Sequence, residues 1–199
     1  MRKRKRVNKI KPIIFSTQMV RAIMDDKKTQ TRRVIKPQPH SEDMLSQAGH
    51  DYCVSKAPYK KGDILWVRET WCWENSQYEK HTGYRYCSTC AWNENGKCTN
   101  NELPYWFEGK KPSLHMLREA ARLFLRVTGV RAERLQEISG ADAKAEGIQR
   151  SDREMLDGVL YEEKFVELWN SLYAKRGHGW ETNPWVWVYQ FERWDGQSE

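Results

Sequence analysis

No run of residues in this sequence is both long and apolar enough to span a membrane. The one apolar stretch near the start, Ile10 to Phe15, is interrupted by Lys11 and Pro12 and is too short for the core of a secretory leader. Internal repeats are missing, as are the P-loop, GxGxxG, HExxH and GxSxG signatures. Their absence removes the usual sequence marks of phosphate-cradling loops, dinucleotide folds, zinc proteases and serine hydrolases. Cysteine is scarce, at five in 199 residues. With no leader, the chain is expected to be cytoplasmic, its thiols reduced rather than paired in disulfides. Acidic residues are wholly absent from positions 1–11.

That last absence locates the charge. Seven of the 34 basic residues lie in this segment (Arg2, Lys3, Arg4, Lys5, Arg6, Lys9 and Lys11), and without them the bases equal the 27 acids. The formal net charge of +7 therefore belongs to an N-terminal arm. The arm is expected to be flexible, suited either to gripping phosphate without sequence preference or simply to solubility. The remaining length is enough for one domain with a real core. Hydrophobic residues make up 39% of the chain, with ten tryptophans and nine tyrosines, and 31% charged residues keep the surface wet. We expect a basic arm over residues 1–11, a single domain over 12–194 with an insertion at about 72–111, and a polar tail over 195–199.

Residues 11–16 read as a short strand, and Ser16 or Thr17 can cap a helix through Met24 that buries Val20, Ile23 and Met24. Pro37 and Pro39 then stop regular structure, and residues 37–60 read as a long surface loop. Ile64 to Trp71, introduced by Gly62-Asp63, is the strongest strand. Arg68 and Glu69 near its end are site candidates or members of cross-strand ion pairs. Tyr105 to Phe107 reads as a further strand, and Ala121 to Leu135 as a long one bent at Gly129. Ser139 begins a short helix that Gly147 ends. Ser151 and Glu154 have capping-box spacing, and Phe165, Leu168, Trp169, Leu172 and Tyr173 form a helical core stripe. Trp185 to Phe191 is the closing strand, with Trp185, Trp187, Tyr189 and Phe191 on one face.

Cys72, Cys87, Cys90 and Cys98 cluster in the insertion, and a CxxC pair suits tetrahedral Zn²⁺. Cys98 would be the third ligand and Cys72 or His81 the fourth; a set of reduced, metal-free thiols is the alternative reading. The stretch Met24 to Val34 gathers Lys27, Lys28, Arg32 and Arg33 around the hydroxyls of Thr29 and Thr31, between a helix and an extended segment. Such a connection either holds a polar or anionic ligand or is a solvated basic loop. Glu146 falls in the last turn of its short helix. There it faces the negative end of the helix dipole, a position that favours its protonation.

In the order of these elements the chain resembles the ASCH domain family, whose members have a PUA-like β-barrel. The family signature Gly-x-Lys-x-x-x-x-Arg here reads Asp26-Lys-Lys28-Thr-Gln-Thr31-Arg-Arg33, with Asp26 in the place of glycine. The Lys60-Lys-Gly-Asp63 turn with its following strand is similar to the family's next element, and the Lys-Pro-Ile-Ile-Phe-Ser-Thr run at 11–17, the Lys-Pro-Ser-Leu-His-Met run at 111–116 and the Asn-Pro-Trp-Val-Trp-Val-Tyr run at 183–189 extend the likeness to longer phage and prophage members. The implied fold class is α+β, a small mixed β-barrel with flanking helices and an inserted cysteine-containing loop. The amidohydrolases of that superfamily, which deacetylate N(4)-acetylcytidine, use a lysine, a threonine and a glutamate. By the resemblance these fall on Lys28, Thr31 and, in Ala143-Lys-Ala-Glu146, on Glu146. In the implied chemistry Thr31 attacks, Lys28 takes its proton and Glu146 assists the leaving amine, with no cofactor required and zinc at most structural. His115 recurs beside the barrel in the phage members, where it either binds phosphate or base or is structural.

Three functions follow as expectations. The first is an RNA- or nucleoside-binding protein whose cleft lies beside the basic loop and uses Lys27, Arg32, Arg33, Arg68 and His115. A hydrolase of a modified nucleoside or of RNA, using Lys28, Thr31 and Glu146, is the second. A phage accessory or assembly protein acting through protein contacts is the third.

Overall fold

The alternating apolar residues at the start form β1 (Ile10–Ile14), which pairs in parallel with β3 (Ile64–Arg68). This computed structural model describes residues 9–40, 42–75, 82–86, 108–150, 155, 158 and 160–196. Most of the expected basic arm falls outside them, but Lys11 belongs to β1, and its Nζ meets the fully buried Asp63 at 2.8 Å. Burial pushes the Asp63 carboxyl up. Lys11 and the backbone N–H groups of Lys60 and Lys9 outweigh that effect and hold it below its usual range.

Ser16 caps α1 (Thr17–Met24), its Oγ accepting from the Met19 N–H at 3.3 Å. The helix buries Val20, Ala22 and Ile23, whereas Met24, expected inside, is 38% exposed. The chain reverses at Asp26, whose φ of 56° is left-handed, and enters β2 (Gln30–Val34). The five-stranded sheet has the order β1-β3-β7-β8-β2, with β7 at Phe124–Arg134 and β8 at Trp185–Arg193. All its pairs except β1–β3 are antiparallel. β7 shifts register between Val127 and Gly129, the bend that the glycine marked. The fold is thus α+β with a mixed sheet, but the sheet is open, since no ladder joins its edge strands β1 and β2. Arg33 spans that seam instead, its Nη2 donating to the Ile14 carbonyl at 3.0 Å.

β8 is covered on both faces. Val186 and Val188 pack with Phe165 and Trp169 of α4 (Tyr161–Tyr173), while Trp185, Trp187 and Tyr189 pack with Met44, Cys53 and Ala57. The second group corrects the expected long loop, because residues 47–56 form a helix, α2 (Gln47–Lys56), capped by the Ser46 hydroxyl. Its apolar residues do not line one face, so periodicity gives no sign of it. It forms because Ser46 satisfies its first turn and Cys53 packs on β8. Between them in sequence, α3 (Gly140–Ala145) begins at Ser139 and stops before Gly147, whose φ is 85°.

A second, three-stranded sheet, with β4 at Trp71–Asn75, β5 at Thr82–Tyr86 and β6 at Glu108–Lys111, has the order β5-β4-β6. Cys72 contributes its main chain to β4, but Cys87, Cys90, Cys98 and His81 lie outside the described residues, as do the expected strand at 105–107 and the Ser151–Glu154 box. Among the described residues no group of three or more His, Cys, Asp or Glu is placed to hold a metal, and no helix is long and apolar enough to cross a membrane.

A left-handed backbone strains a side chain that is branched at Cβ. In urea denaturation Asp26→Val should lose about 1–2 kcal/mol, while Asp26→Gly should be at least as stable as the parent. Equal stability of the valine variant would contradict the turn geometry.

Candidate functional site

From Lys28 on, the stretch expected to be a basic loop is largely interior. Lys28, Gln30, Thr31 and Arg32 are all buried, at 2% exposure or less. Their depth follows from β2 pairing with the doubly covered β8, and from an isolated bridge between Lys28 and Glu146 at the end of α3. The main chain locks the same contact, since the Thr29 N–H donates to the Ala145 carbonyl at 2.8 Å. Gly147 makes the approach possible, because a Cβ there would sit 2.9 Å from the Cβ atoms of both Ala22 and Lys28.

Two of the three residues carried over from the amidohydrolases meet directly. Lys28 Nζ donates to the Glu146 carboxylate at 2.7 Å and to its carbonyl at 2.7 Å. Arg32 closes the other side of the carboxylate at 3.1 Å and donates to Glu133 through Nη2 at 2.6 Å and Nε at 3.1 Å. Asp142, 3.4 Å from Arg32, also receives Gln30 and Arg131, and Arg131 returns to Glu133. Three cations and three carboxylates form one continuous cluster. Burial lowers the Lys28 pKa from its ordinary 10.5, opposed by Glu146 and assisted by Arg33 and Arg32. Lys27 is exposed, 3.5 Å from Asp25. Asp26, where the signature has glycine, is also exposed.

Thr31 is placed differently. Strand alternation sets Gln30 and Arg32 on the face of the charge cluster, and Thr31 and Arg33 on the other. The Thr31 hydroxyl accepts from Arg33 Nη1 at 2.8 Å, and no hydrogen bond joins it to Lys28 or Glu146. The two groups come together at Phe15, whose ring centroid is 5.7 Å from Lys28 Nζ and 5.3 Å from the Arg33 guanidinium.

The remaining candidates lie elsewhere. Arg68 stacks 5.0 Å from the Trp66 ring and reaches the Met116 carbonyl at 3.3 Å, next to the exposed His115. Glu69 is buried and takes Arg122 at 2.9 and 3.2 Å, the ion pair that was its alternative reading. Arg68 and Arg33 approach opposite sides of one residue, since Ile14 is in register with Arg68 and its carbonyl accepts from Arg33.

Two clefts open beside the cluster, on either side of residues 146–149. One, of about 670 Å³, lies between α1 and α4 and is lined by Arg21, Lys164, Glu167 and the 6%-exposed Glu146. The other, of about 500 Å³, has Lys27, Lys144, Arg150 and Tyr161 in its wall, with Asp26 as its one carboxylate among the described residues. The Arg150 guanidinium lies 4.1 Å from the Tyr161 ring centroid. Lys144, Arg150 and Tyr161 carried no sequence signal, because their convergence depends on α3 and α4 packing together. The nearest local cue was Lys144 two residues before Glu146.

No family model and no curated protein matches the sequence. Solved structures similar to this chain include an ASCH domain from Lactobacillus crispatus JV V101, 12% identical, covering 93% of this chain and 79% of that chain with a TM-score of 0.42. A protein of Enterococcus faecalis V583 described by the DUF984 family model is 11% identical, with 96% and 78% covered and a TM-score of 0.43. An ASCH domain is thus among the structural neighbours, as the motif order led us to expect.

Removing one partner of a buried ion pair leaves an uncompensated charge. Glu146→Ala should therefore cost about 3–5 kcal/mol in urea denaturation, and Lys28→Met/Glu146→Leu should cost less than the sum of its single variants by more than about 1 kcal/mol. Additive losses would show that the contact is not a coupled pair.

Proposed function

We propose that the protein binds single-stranded RNA or a nucleoside in the clefts flanking residues 146–149, beside the stretch 24–34. The observation that carries this reading is the composition of the smaller cleft. Three cations, Lys27, Lys144 and Arg150, and, among the described residues, one carboxylate line a space of about 500 Å³, with the Arg150–Tyr161 stack in the wall. A cleft of that size is in the range of small-ligand sites. Lysines attract phosphate, and the planes of Tyr and Arg take up unstacked bases. Arg32 serves this reading indirectly. Spent on Glu133, Asp142 and Glu146, it holds the cleft wall in place, and phosphate contact passes to Lys27 and Lys144.

A second reading, hydrolysis of an acyl amide on a modified base, is favoured by one observation: a buried lysine of lowered pKa touching a carboxylate that opens on a cleft. That reaction starts from the proton-shifted form of the pair, Lys28 as neutral amine and Glu146 as carboxylic acid. The Thr31 oxygen bonds to the acyl carbon as the bond from that carbon to the base nitrogen breaks, Lys28 takes the hydroxyl proton and Glu146 gives its proton to the departing amine; water then attacks the Thr31 ester, restoring the hydroxyl and releasing the acyl group as the acid. It requires an acyl group reaching both faces of β2 near Phe15.

Fluorescence anisotropy with a labelled single-stranded RNA tests the first reading. Lys27→Ala and Lys144→Ala should each reduce the slope of log K against log salt by about 0.7, and Tyr161→Leu should weaken binding by about 1–3 kcal/mol. Binding insensitive to all three, yet lost on removing residues 1–11, would overturn the cleft assignment. Incubation with N(4)-acetylcytidine decides the second reading: cytidine must form with the parent and fail to form with Lys28→Ala, Thr31→Ala and Glu146→Ala.

A further inference from the structure

The largest cleft described, about 1000 Å³, shares no residue with the two clefts beside the charge cluster. It opens where β8 presents Trp187, the face opposite Val186 and Val188. One wall is the Ile35–Pro39 segment and the other is α2. Both walls are tied to β8. The Gln38 side chain donates to the carbonyls of Ile35 at 2.7 Å and Trp185 at 3.1 Å and accepts from the Trp185 N–H at 2.7 Å, standing in for a strand that has diverged. Across the cleft the Trp187 indole N–H donates to the Cys53 carbonyl at 3.2 Å. The space between is therefore held open by hydrogen bonds rather than by loop packing alone.

Its chemistry is divided. Ile35, Met44, Cys53 and Trp187 make an apolar and aromatic floor. At the rim stand Lys36 and Lys56, both exposed, along with His40 and, as the one carboxylate among the described residues, Glu42. Neither lysine is paired with a carboxylate among the described residues; Lys56 lies 5.1 Å from the Tyr52 ring centroid. An apolar, aromatic floor under cations that no described carboxylate pairs complements a ligand that is planar and apolar at one end and negatively charged at the other.

We propose that this cleft binds a ring-bearing organic anion, its ring against Trp187 and its charge held by Lys36 and Lys56. Nucleotides and aromatic carboxylates share that chemistry, so the test carries one of each. Cys53, 7% exposed in the floor, reports occupancy from within the site. The full-length protein is treated with N-ethylmaleimide, and mass spectrometry of the Cys53 peptide gives the modification rate. Adenosine 5′-monophosphate and 2-naphthoate are compared with adenosine and with inorganic phosphate. At ten times its Kd, a ring-bearing anion should slow Cys53 modification about tenfold. Adenosine or phosphate at the same concentration should leave the rate within about twofold. Protection by the nucleotide alone or by the carboxylate alone supports the site and identifies its source. Lys36→Ala/Lys56→Ala should abolish protection without changing the ligand-free rate. Should Cys53 resist the reagent, the same ligands are followed by tryptophan quenching that is present in the parent and missing in Trp187→Phe. No protection or quenching by either anion, or equal protection by phosphate or adenosine, overturns the proposal.

Discussion

The contact between Lys28 and Glu146 is the one on which the site depends. Moving an ammonium and a carboxylate out of water costs several kcal/mol each, and one ion pair seldom recovers that. Here the loss is spread over a cluster. Arg32 shares Glu146 with Lys28, Glu133 and Asp142 share Arg32, and Arg131 and Gln30 supply their remaining hydrogen bonds. Bonds in such a network reinforce one another in a medium of low dielectric. The cluster joins β2, β7 and α3, so the position of each of these elements is written into the charge balance.

The same cluster explains why the clefts lie where they do. With Lys28 drawn to the end of α3 and Gly147 leaving no Cβ in the way, residues 146–149 become a narrow wall with a cleft on each side. Lysine and arginine facing inward leave the outward cations, Lys27, Lys144 and Arg150, to face a ligand. Phe15 connects this arrangement to the seam of the open sheet, its ring lying near Lys28 and near the arginine that spans β1 and β2.

What could be read from the sequence was what local chemistry decides. Ser16 and Ser139 as caps, Gly147 as a helix stop, the bulge at Gly129 and the aromatic face of β8 each depend on a few neighbouring residues. α2 was not legible because its apolar residues line no single face and Cys53, its one buried residue, is held by packing on β8. The basic stretch was misjudged as a loop for a related reason. Gln30, Arg32 and Val34 alternate as a strand does, but the partners that let an arginine sit inside, Glu133 and Glu146, are about a hundred residues away in sequence. Lys28 and Glu146 were paired through a family likeness, and the structure brings them within 2.7 Å. Thr31, carried over by the same likeness, faces Arg33 instead.

Lys28 is an interior amine held against Glu146, and its own titration tests that most directly. In a sample with ¹³C- and ¹⁵N-labelled lysine, side-chain NMR should show one lysine titrating below the ordinary 10.5, with its signal absent in Lys28→Met. In Glu146→Gln the same resonance should move lower still, because the carboxylate is the group that favours the charged amine. If every lysine titrates near its ordinary value and Glu146→Gln shifts none of them, the stretch is a solvated basic loop and the central claim fails.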